Sequence, residues 1–185
     1  MKAIVLAGGK GTRLRPLTYT KPKPLLPLAG QPAISHLIRK LAQEGIGEII
    51  LTTNYFGGRL RAELGDGSRY GVRIHHVEES SPLGTAGSVK NCESLIDGTF
   101  LVVQGDNQFE FDPKHVIQLH RKLSAQASVA LVEVSDATQY GIAELSKGRI
   151  IRFLEKPEPE ECFSNLANSG FYVLEPEVLD LVPEG

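Results

Sequence analysis

The sequence has 185 residues and a formal net charge of −2, and 41% of the residues are hydrophobic. This length suits one compact domain with a sizeable core, and the near-neutral charge argues against nucleic-acid binding through bulk electrostatics. The sequence contains no run of about 18 apolar residues, so neither a membrane nor a nucleic-acid partner is predicted.

Strand and helix patterns alternate along the first two thirds of the chain. Buried apolar runs predict strands at residues 2–6, 49–53, 72–77, 100–103 and 129–134. Apolar residues at helical spacing predict a helix between Pro32 and Gly45, and another is expected over residues 83–95. A third begins at Asp112 with Pro113 in its first turn and is expected to bury Val116, Leu119 and Leu123.

The pattern changes after residue 135. Segments 140–145 and 149–155 flank a Ser-Lys-Gly turn and predict a hairpin, and a further strand at 168–174 precedes a short helix at 176–181. The βαβ rhythm predicts a Rossmann-like three-layer α/β/α fold with a mixed, mostly parallel central sheet and a small β-hairpin lobe.

A glycine-rich segment, Ala-Gly-Gly-Lys-Gly-Thr-Arg-Leu at positions 7–14, follows the first strand directly. Glycines bring backbone N–H groups close to a polyanion, and Arg13 and Lys23 add fixed positive charge. The segment is not a Walker A motif, because no Gly-Lys-Ser/Thr closes it. It is a poor dinucleotide fingerprint as well, since Leu14 stands where the third glycine belongs. The pattern therefore favours binding of a nucleoside triphosphate.

This segment and its continuation resemble the signature of the sugar-1-phosphate nucleotidylyltransferases. The family pattern Gly-Gly-x-Gly-Thr-Arg-Leu-x-Pro-Leu-Thr matches positions 8–18, and its Pro-Lys-Pro-Leu matches positions 22–25. The resemblance implies transfer of a nucleotidyl group from a nucleoside triphosphate to a hexose-1-phosphate, which gives a nucleotide sugar and pyrophosphate.

The resemblance also implies roles for individual residues. Arg13 would lie against the β- and γ-phosphates, Lys23 would contact the α-phosphate side, and these two residues with Asp106 form the predicted catalytic set. The predicted nucleotide-binding residues are Leu6, Ala7, Gly8, Gly9, Gly11, Thr12, Glu79, Gly84 and Thr85.

Asp106 follows an apolar strand that ends in Gln-Gly-Asp. This position places its carboxylate at the carboxyl edge of the sheet, where open α/β folds bind ligands. One carboxylate with phosphate oxygens and waters is a common Mg²⁺ site, and the family places its metal-binding aspartate here. We therefore expect Mg²⁺ as the cofactor and Asp106 as its ligand.

Glu79 stands at the position where the family reads the nucleobase. Thymidylyl and uridylyl members usually carry glutamine there, whereas a carboxylate only accepts hydrogen bonds and suits the N1–H and 2-amino donors of guanine. The Leu-Gly-Thr-Ala-Gly run at 83–87 is also similar to mannose-1-phosphate guanylyltransferases. GTP and mannose-1-phosphate are therefore the favoured substrates. If the match to the family motif is shifted by one residue, Glu78 instead of Glu79 would stand at the base-reading position. UTP- or dTTP-dependent transfer to glucose-1-phosphate is the alternative.

The resemblance assigns the sugar side to the last third of the chain. Gly141, Glu155 and Asn168 would bind sugar hydroxyls, and Lys156 would bind the sugar phosphate. A single nucleotidyltransferase domain is expected over 1–185, with a nucleotide-binding half at 1–135 and a sugar-binding half at 136–185. Family members normally continue to a second metal-binding segment that this sequence does not match. We therefore expect either a domain truncated at its C-terminus or a second metal ligand from elsewhere. A truncated domain would bind triphosphate with weak or absent turnover.

A non-catalytic nucleotide-sugar-sensing module on the same fold is a second hypothesis, although such modules tend to lose the arginine, lysine or aspartate that this chain keeps. A homo-oligomer is also possible from the sequence.

The two cysteines, Cys92 and Cys162, lack ligand-like spacing and are typical of free thiols in a reducing cytosol. No signal-peptide pattern precedes the first strand, so a cytoplasmic location is expected. His75 and His76 alternate along a strand pattern, which disfavours joint chelation of a metal.

Overall fold

The structure is a computed structural model that describes residues 1–183. Its strands are β1 (Lys2–Leu6), β2 (Pro27–Leu28), β3 (Gln31–Pro32), β4 (Glu48–Thr53), β5 (Arg73–Glu78), β6 (Phe100–Gln104), β7 (Ala127–Glu133), β8 (Gly141–Ser146), β9 (Arg149–Glu155) and β10 (Leu166–Leu174). Its α-helices are α1 (Ala33–Gln43), α2 (Gly57–Leu64), α3 (Gly84–Lys90) and α4 (Pro113–Lys122). Short 3₁₀ turns connect several of them.

Eight strands form one mixed sheet in the order β5-β4-β1-β6-β10-β8-β9, with β7 also paired to β10. β1 runs parallel to both β4 and β6, and β4 runs parallel to β5. β10 runs antiparallel to β6, β7 and β8, and β9 closes a hairpin with β8. The predicted Rossmann-like α/β fold with a mixed central sheet is confirmed.

Helices cover both faces of the sheet because successive residues of each buried strand point to opposite sides. Ala3 and Val5 pack with α1 and α2 on one face, whereas Ile4 packs with α3 and the 3₁₀ turn at 176–181 on the other. In residues 1–183, no helix combines the length and the apolar character that crossing a membrane requires.

Most predicted elements are present with bounds that shift by one or two residues. Asp112 caps α4 as expected and accepts a hydrogen bond from the Lys114 backbone N–H at 2.8 Å. The predicted buried face of α4 was wrong at two of its three positions, because Leu119 is 54% and Leu123 is 44% exposed. His120 on the same helix is 1% exposed instead. Its imidazole forms part-buried hydrogen bonds with Ser128 and Glu175, which the apolar pattern did not reveal.

The predicted helix over 83–95 is two elements. α3 ends at Lys90, and a separate 3₁₀ turn covers Glu93–Leu95. The sequence pattern also missed α2 and the β2–β3 hairpin. α2 is a short helix that buries only Gly57, Leu60 and Leu64, so its apolar periodicity is brief.

Candidate functional site

The carboxyl ends of the parallel strands meet at one edge of the sheet, as predicted for the site. The Gly105 backbone N–H donates to the carbonyl oxygen of Leu6 at 2.8 Å, and the Ala7 N–H donates to that of Thr52 at 2.9 Å. The loops that follow β1, β4 and β6 are therefore neighbours. Open α/β sheets bind ligands at this edge.

The glycine loop between β1 and the first 3₁₀ turn fits closely against its surroundings at two points. A Cβ on Gly8 would lie 3.4 Å from the Asn54 backbone nitrogen. Gly11 adopts φ +59°, and a Cβ there would lie 2.9 Å from the Thr18 methyl carbon. The Thr18 hydroxyl also donates to the Gly11 carbonyl at 2.9 Å, so the loop is anchored at its far end.

Lys23 and Asp106 form an ion pair, although 83 residues separate them in the chain. The side chains are 40% and 37% exposed. A pair this accessible contributes about 0–1 kcal/mol to stability, so both groups remain available to a charged ligand. The structure thus brings together two members of the predicted catalytic set.

Arg13, the third member, lies in the 3₁₀ turn Thr12–Leu14 and is exposed to solvent. It makes no ion pair or side-chain hydrogen bond with another residue of 1–183. Its guanidinium is therefore free, and the structure does not bring it into contact with Lys23 or Asp106.

A pocket of about 260 Å³ opens beside the glycine loop. Six predicted nucleotide-binding residues line it: Leu6, Gly8, Gly9, Glu79, Gly84 and Thr85. Ala7, Gly11 and Thr12 do not. The other lining residues, which the sequence interpretation did not assign to the site, are Thr52, Asn54, Pro82, Leu83, Ser88 and Gln104. Thr52, Asn54 and Gln104 stand at or just beyond the carboxyl ends of β4 and β6, a position that could have identified them.

Glu79 is the buried acidic side chain of this pocket. It is 6% exposed, and its Oε1 atom has no hydrogen-bond partner within residues 1–183. Its backbone is fixed on both sides, since its N–H donates to the Thr53 carbonyl at 2.7 Å and its carbonyl accepts from the Asn54 side chain at 2.8 Å. Glu78 is exposed and directs its carboxylate toward Gly57 of α2. Glu79 rather than Glu78 therefore faces the pocket.

Cys92 lies behind this pocket and is fully buried. Burial, with a smaller contribution from the negative charge of Glu79, raises the pKa of its thiol to about 12. The thiol consequently stays protonated at neutral pH, and we assign it no chemical role.

The predicted sugar residues lie at the open end of the β8–β9 hairpin, where β8 begins and β9 ends, and in β10. Gly141 pairs with Glu155, and a Cβ on Gly141 would lie 2.6 Å from Glu155 Oε2. A Cβ there would also lie 2.5 Å from the Phe153 ring, so the glycine leaves space for both side chains. Lys156 follows with φ +46°, and its ammonium lies 3.9 Å from Glu155 Oε1.

Asn168 lies at a bulge in β10. Its amide donates to the Tyr172 hydroxyl at 2.7 Å, and its oxygen accepts from the Gly170 N–H at 2.9 Å. Asn107, next to Asp106 in the chain, donates to the Ser169 carbonyl at 2.6 Å and joins the bulge to the end of β6. The buried Ser169 hydroxyl has no partner within residues 1–183, and the sequence interpretation did not assign it to the site.

His75 and His76 contact different groups. His75 Nε2 lies 3.1 Å from a carboxylate oxygen of Glu48, and His76 Nε2 lies 2.7 Å from the Gly65 carbonyl. We assign neither a role in the site.

Comparison with known proteins places this geometry in context. The nucleotidyl transferase family matches residues 2–184 of the chain. A mannose-1-phosphate guanylyltransferase of Mycobacterium tuberculosis is 41% identical over 185 residues, which cover 99% of this chain and 51% of the relative. A UTP–glucose-1-phosphate uridylyltransferase of Synechocystis is 35% identical over 200 residues, which cover 100% and 52%.

A solved structure from Bacillus anthracis is also similar. That protein is provisionally named a glucose-1-phosphate thymidylyltransferase and was crystallised with sucrose. It superposes with a TM-score of 0.90 at 33% identity, over 99% of this chain and 76% of its own. The chain spans about half the length of the curated relatives it matches.

Proposed function

The chain belongs to the nucleotidyl transferase family, and on that premise we propose that it joins a nucleoside triphosphate to a hexose-1-phosphate. The products would be a nucleotide sugar and pyrophosphate. The observation that carries the proposal is the convergence of the Gly8–Gly11 loop, the Lys23–Asp106 pair and the Glu79 pocket on one edge of the sheet.

In this reaction a phosphate oxygen of the hexose-1-phosphate attacks the α-phosphorus of the triphosphate. The bond from the α-phosphorus to the bridging oxygen breaks, and pyrophosphate leaves with the electron pair. The attacking oxygen is already ionised, so no general base is required. Catalysis then depends on positioning two polyanions and stabilising their charge.

The positions of the three charged side chains suit them to different phosphate groups. A Cβ on Gly11 would lie 3.1 Å from Lys23 Cβ, so Lys23 lies beside the glycine loop and is suited to the α-phosphate. Arg13 is free of ion pairs within residues 1–183 and is suited to the departing pyrophosphate. Lys156, 56% exposed and next to Glu155, is suited to the sugar phosphate.

The donor set at this edge fits Mg²⁺. No group of three or more His, Cys, Asp or Glu side chains in residues 1–183 is arranged to hold a metal ion, and Asp106 is the carboxylate that lies beside Lys23. Mg²⁺ commonly binds one or two carboxylates and completes its octahedron with phosphate oxygens and waters. We assign Asp106 as the protein ligand, and bound Mg²⁺ would neutralise phosphate charge.

The pocket favours guanine as the base. A buried carboxylate with an unpartnered oxygen is left desolvated, and two N–H donors of guanine would satisfy it. We therefore propose GTP, with mannose-1-phosphate as the sugar substrate. UTP- or dTTP-dependent transfer to glucose-1-phosphate is the competing specificity, supported by the uridylyltransferase relative.

The two halves of the chain would serve the two substrates. All residues that line the base pocket lie between Leu6 and Gln104, within the proposed nucleotide half at 1–135. The proposed sugar residues lie between Gly141 and Asn168, within the half at 136–185.

Pyrophosphate release tests the proposal. GTP, UTP, dTTP and ATP are each combined with mannose-1-phosphate and glucose-1-phosphate, with Mg²⁺ or with EDTA. We expect the highest rate with GTP, mannose-1-phosphate and Mg²⁺, and a loss of about 10²–10³ in Lys23→Ala and Asp106→Asn. Lys122→Ala and Asp180→Asn, exposed residues outside the site, serve as matched controls.

Triphosphate binding by calorimetry accompanies the rates and separates a binding defect from a catalytic one. Wild-type turnover in both site variants would contradict the catalytic assignment. A truncated domain would give a different result. The 185-residue chain would bind triphosphate without turnover, whereas a longer chain would be fully active.

A further inference from the structure

A second cavity shares no lining residue with the base pocket. Its volume is about 550 Å³, within the range of small-molecule sites. It is formed between α2, the β2–β3 hairpin and the segment that leads to Lys23. None of the proposed substrate-binding residues lines it, so the proposed reaction does not account for it.

Two cations without acidic partners face this cavity. Lys21 and Arg59 both line it, and no carboxylate within residues 1–183 lies within 4.0 Å of either cationic group. Arg59 donates one N–H to the Thr20 carbonyl, and its guanidinium carbon lies 5.1 Å from the centre of the Phe56 ring. A guanidinium has five N–H donors, so this contact leaves most of them available.

The other residues that line the cavity add a hydrogen-bond donor and apolar surface, which suit an anion that carries a carbon skeleton. Gln31 accepts a hydrogen bond from Arg39 at 3.4 Å through its oxygen, which leaves its NH₂ group as a donor. Leu25, Pro27 and Ala62 supply apolar wall. Glu63 is the acidic residue of the lining, and Arg69 at 3.2 Å partly neutralises it.

We propose that this cavity is a second anion site that binds a phosphorylated small molecule. A phosphate dianion offers several acceptor oxygens to a lysine, an arginine fork and an amide, and such charge-assisted bonds are the strong ones. The apolar wall would contact the carbon skeleton. The inference goes beyond the proposed reaction and does not require it.

Two residues that line the cavity, Lys21 and Leu25, flank the candidate catalytic residue Lys23 in the chain. Lys21 is two residues before Lys23, and the intervening Pro22 is buried. The Leu25 N–H donates to the Pro22 carbonyl at 2.9 Å, which closes the turn that carries both Lys23 and the cavity residue Leu25. An occupant of the cavity would therefore contact the same turn as Lys23.

Inorganic phosphate is the probe for a test by ¹⁵N NMR. The protein is titrated at constant ionic strength, balanced with chloride, with and without a saturating triphosphate. We expect the backbone amides of Lys21, Gln31 and Ala62 to shift with one common Kd under both conditions. Shifts confined to Gly8–Gly11 would place phosphate in the glycine loop and overturn the second site, while leaving the proposed function intact.

Variants separate a built site from general electrostatics. Arg59→Gln is expected to weaken phosphate binding about tenfold, whereas Arg61→Gln, the same charge change on the exposed face of α2, is expected to leave it unchanged. Glu63→Gln should tighten binding about threefold, because it removes the negative charge of the lining. Equal effects of the two arginine variants would overturn the proposal.

If Arg59→Gln does not fold, Lys21→Gln with Lys122→Gln as control gives the same comparison. The expectation is again about a tenfold weakening in the cavity variant alone. Unchanged phosphate binding in Lys21→Gln would reject the site.

Discussion

Replacing Glu79 with glutamine tests the most specific part of the proposed function, the choice of base. The carboxylate is 6% exposed and its Oε1 atom has no partner within residues 1–183. A buried acceptor without a hydrogen bond costs roughly 1–3 kcal/mol, and more when it is charged. Glu79→Gln keeps the shape and removes the charge. We therefore expect the free energy of unfolding to stay unchanged or to rise by about 1 kcal/mol.

The same substitution should reduce the use of GTP. A carboxylate can accept from both N1–H and the 2-amino group of guanine, whereas glutamine keeps one acceptor and places an N–H donor opposite a donor. Loss of one charge-assisted hydrogen bond is worth about 1.5–3 kcal/mol. Since each 1.4 kcal/mol corresponds to a factor of ten, kcat/KM for GTP should fall about 10- to 100-fold. The value for UTP should not fall.

Two measurements are needed. Urea unfolding gives the change in stability, and pyrophosphate release with GTP and UTP gives the change in preference. Glu78→Gln is the matched control, because Glu78 is the neighbouring glutamate and is exposed outside the pocket. The reasoning is refuted if Glu79→Gln keeps the wild-type ratio of GTP to UTP activity, or if Glu78→Gln changes that ratio as strongly.

Three further predictions follow from other parts of the structure. Gly141→Ala places a Cβ 2.5 Å from Phe153 Cζ and 2.6 Å from Glu155 Oε2, so both side chains must move. This change should raise KM for the hexose-1-phosphate about tenfold without changing triphosphate affinity, and a change in both would contradict the sugar assignment. His120→Ala removes a buried imidazole and its two part-buried hydrogen bonds to Ser128 and Glu175. Urea unfolding should show a loss of about 2–4 kcal/mol, and calorimetry should show unchanged triphosphate binding. Iodoacetamide at pH 8 should label Cys162 in the native protein, and Cys92, with a pKa of about 12, only after unfolding; rapid native labelling of both would show that the buried thiol is accessible.

Three strands of the parallel half, β1, β4 and β6, were predictable because each contains a run of buried, mostly apolar residues. The end of each apolar run identifies the carboxyl end of a strand. The residues that follow β1 and β6 could therefore be assigned to the carboxyl edge of the sheet from the sequence. Lys23 and Asp106 were both expected near the glycine loop, and they form an ion pair with each other. Arg13 belongs to the same motif, but no hydrogen bond or ion pair within residues 1–183 fixes the direction of its side chain.

Burial on α4 was not predictable from helical spacing alone. The apolar residues Leu119 and Leu123 satisfy the pattern but stay exposed, and His120 takes the buried position. His120 is buried because Ser128 and Glu175 supply hydrogen bonds at 2.9 and 3.0 Å. Those partners come from β7 and from the end of β10, and local sequence carries no signal of them.

The antiparallel half shows a second limit, and it bears on the sugar site. The pairing of β10 with β7 shifts register between Asn168 and Tyr172, so more residues lie on one strand than on the other. An alternating pattern cannot show such a bulge, because both sides of it look like ordinary strand. The bulge lets Asn107 bind the Ser169 carbonyl, and it leaves the Asn168 amide on Tyr172. Motif order could name Asn168 as a sugar residue, but its present hydrogen bonds engage both polar atoms of its amide, so sugar binding there requires that these bonds exchange.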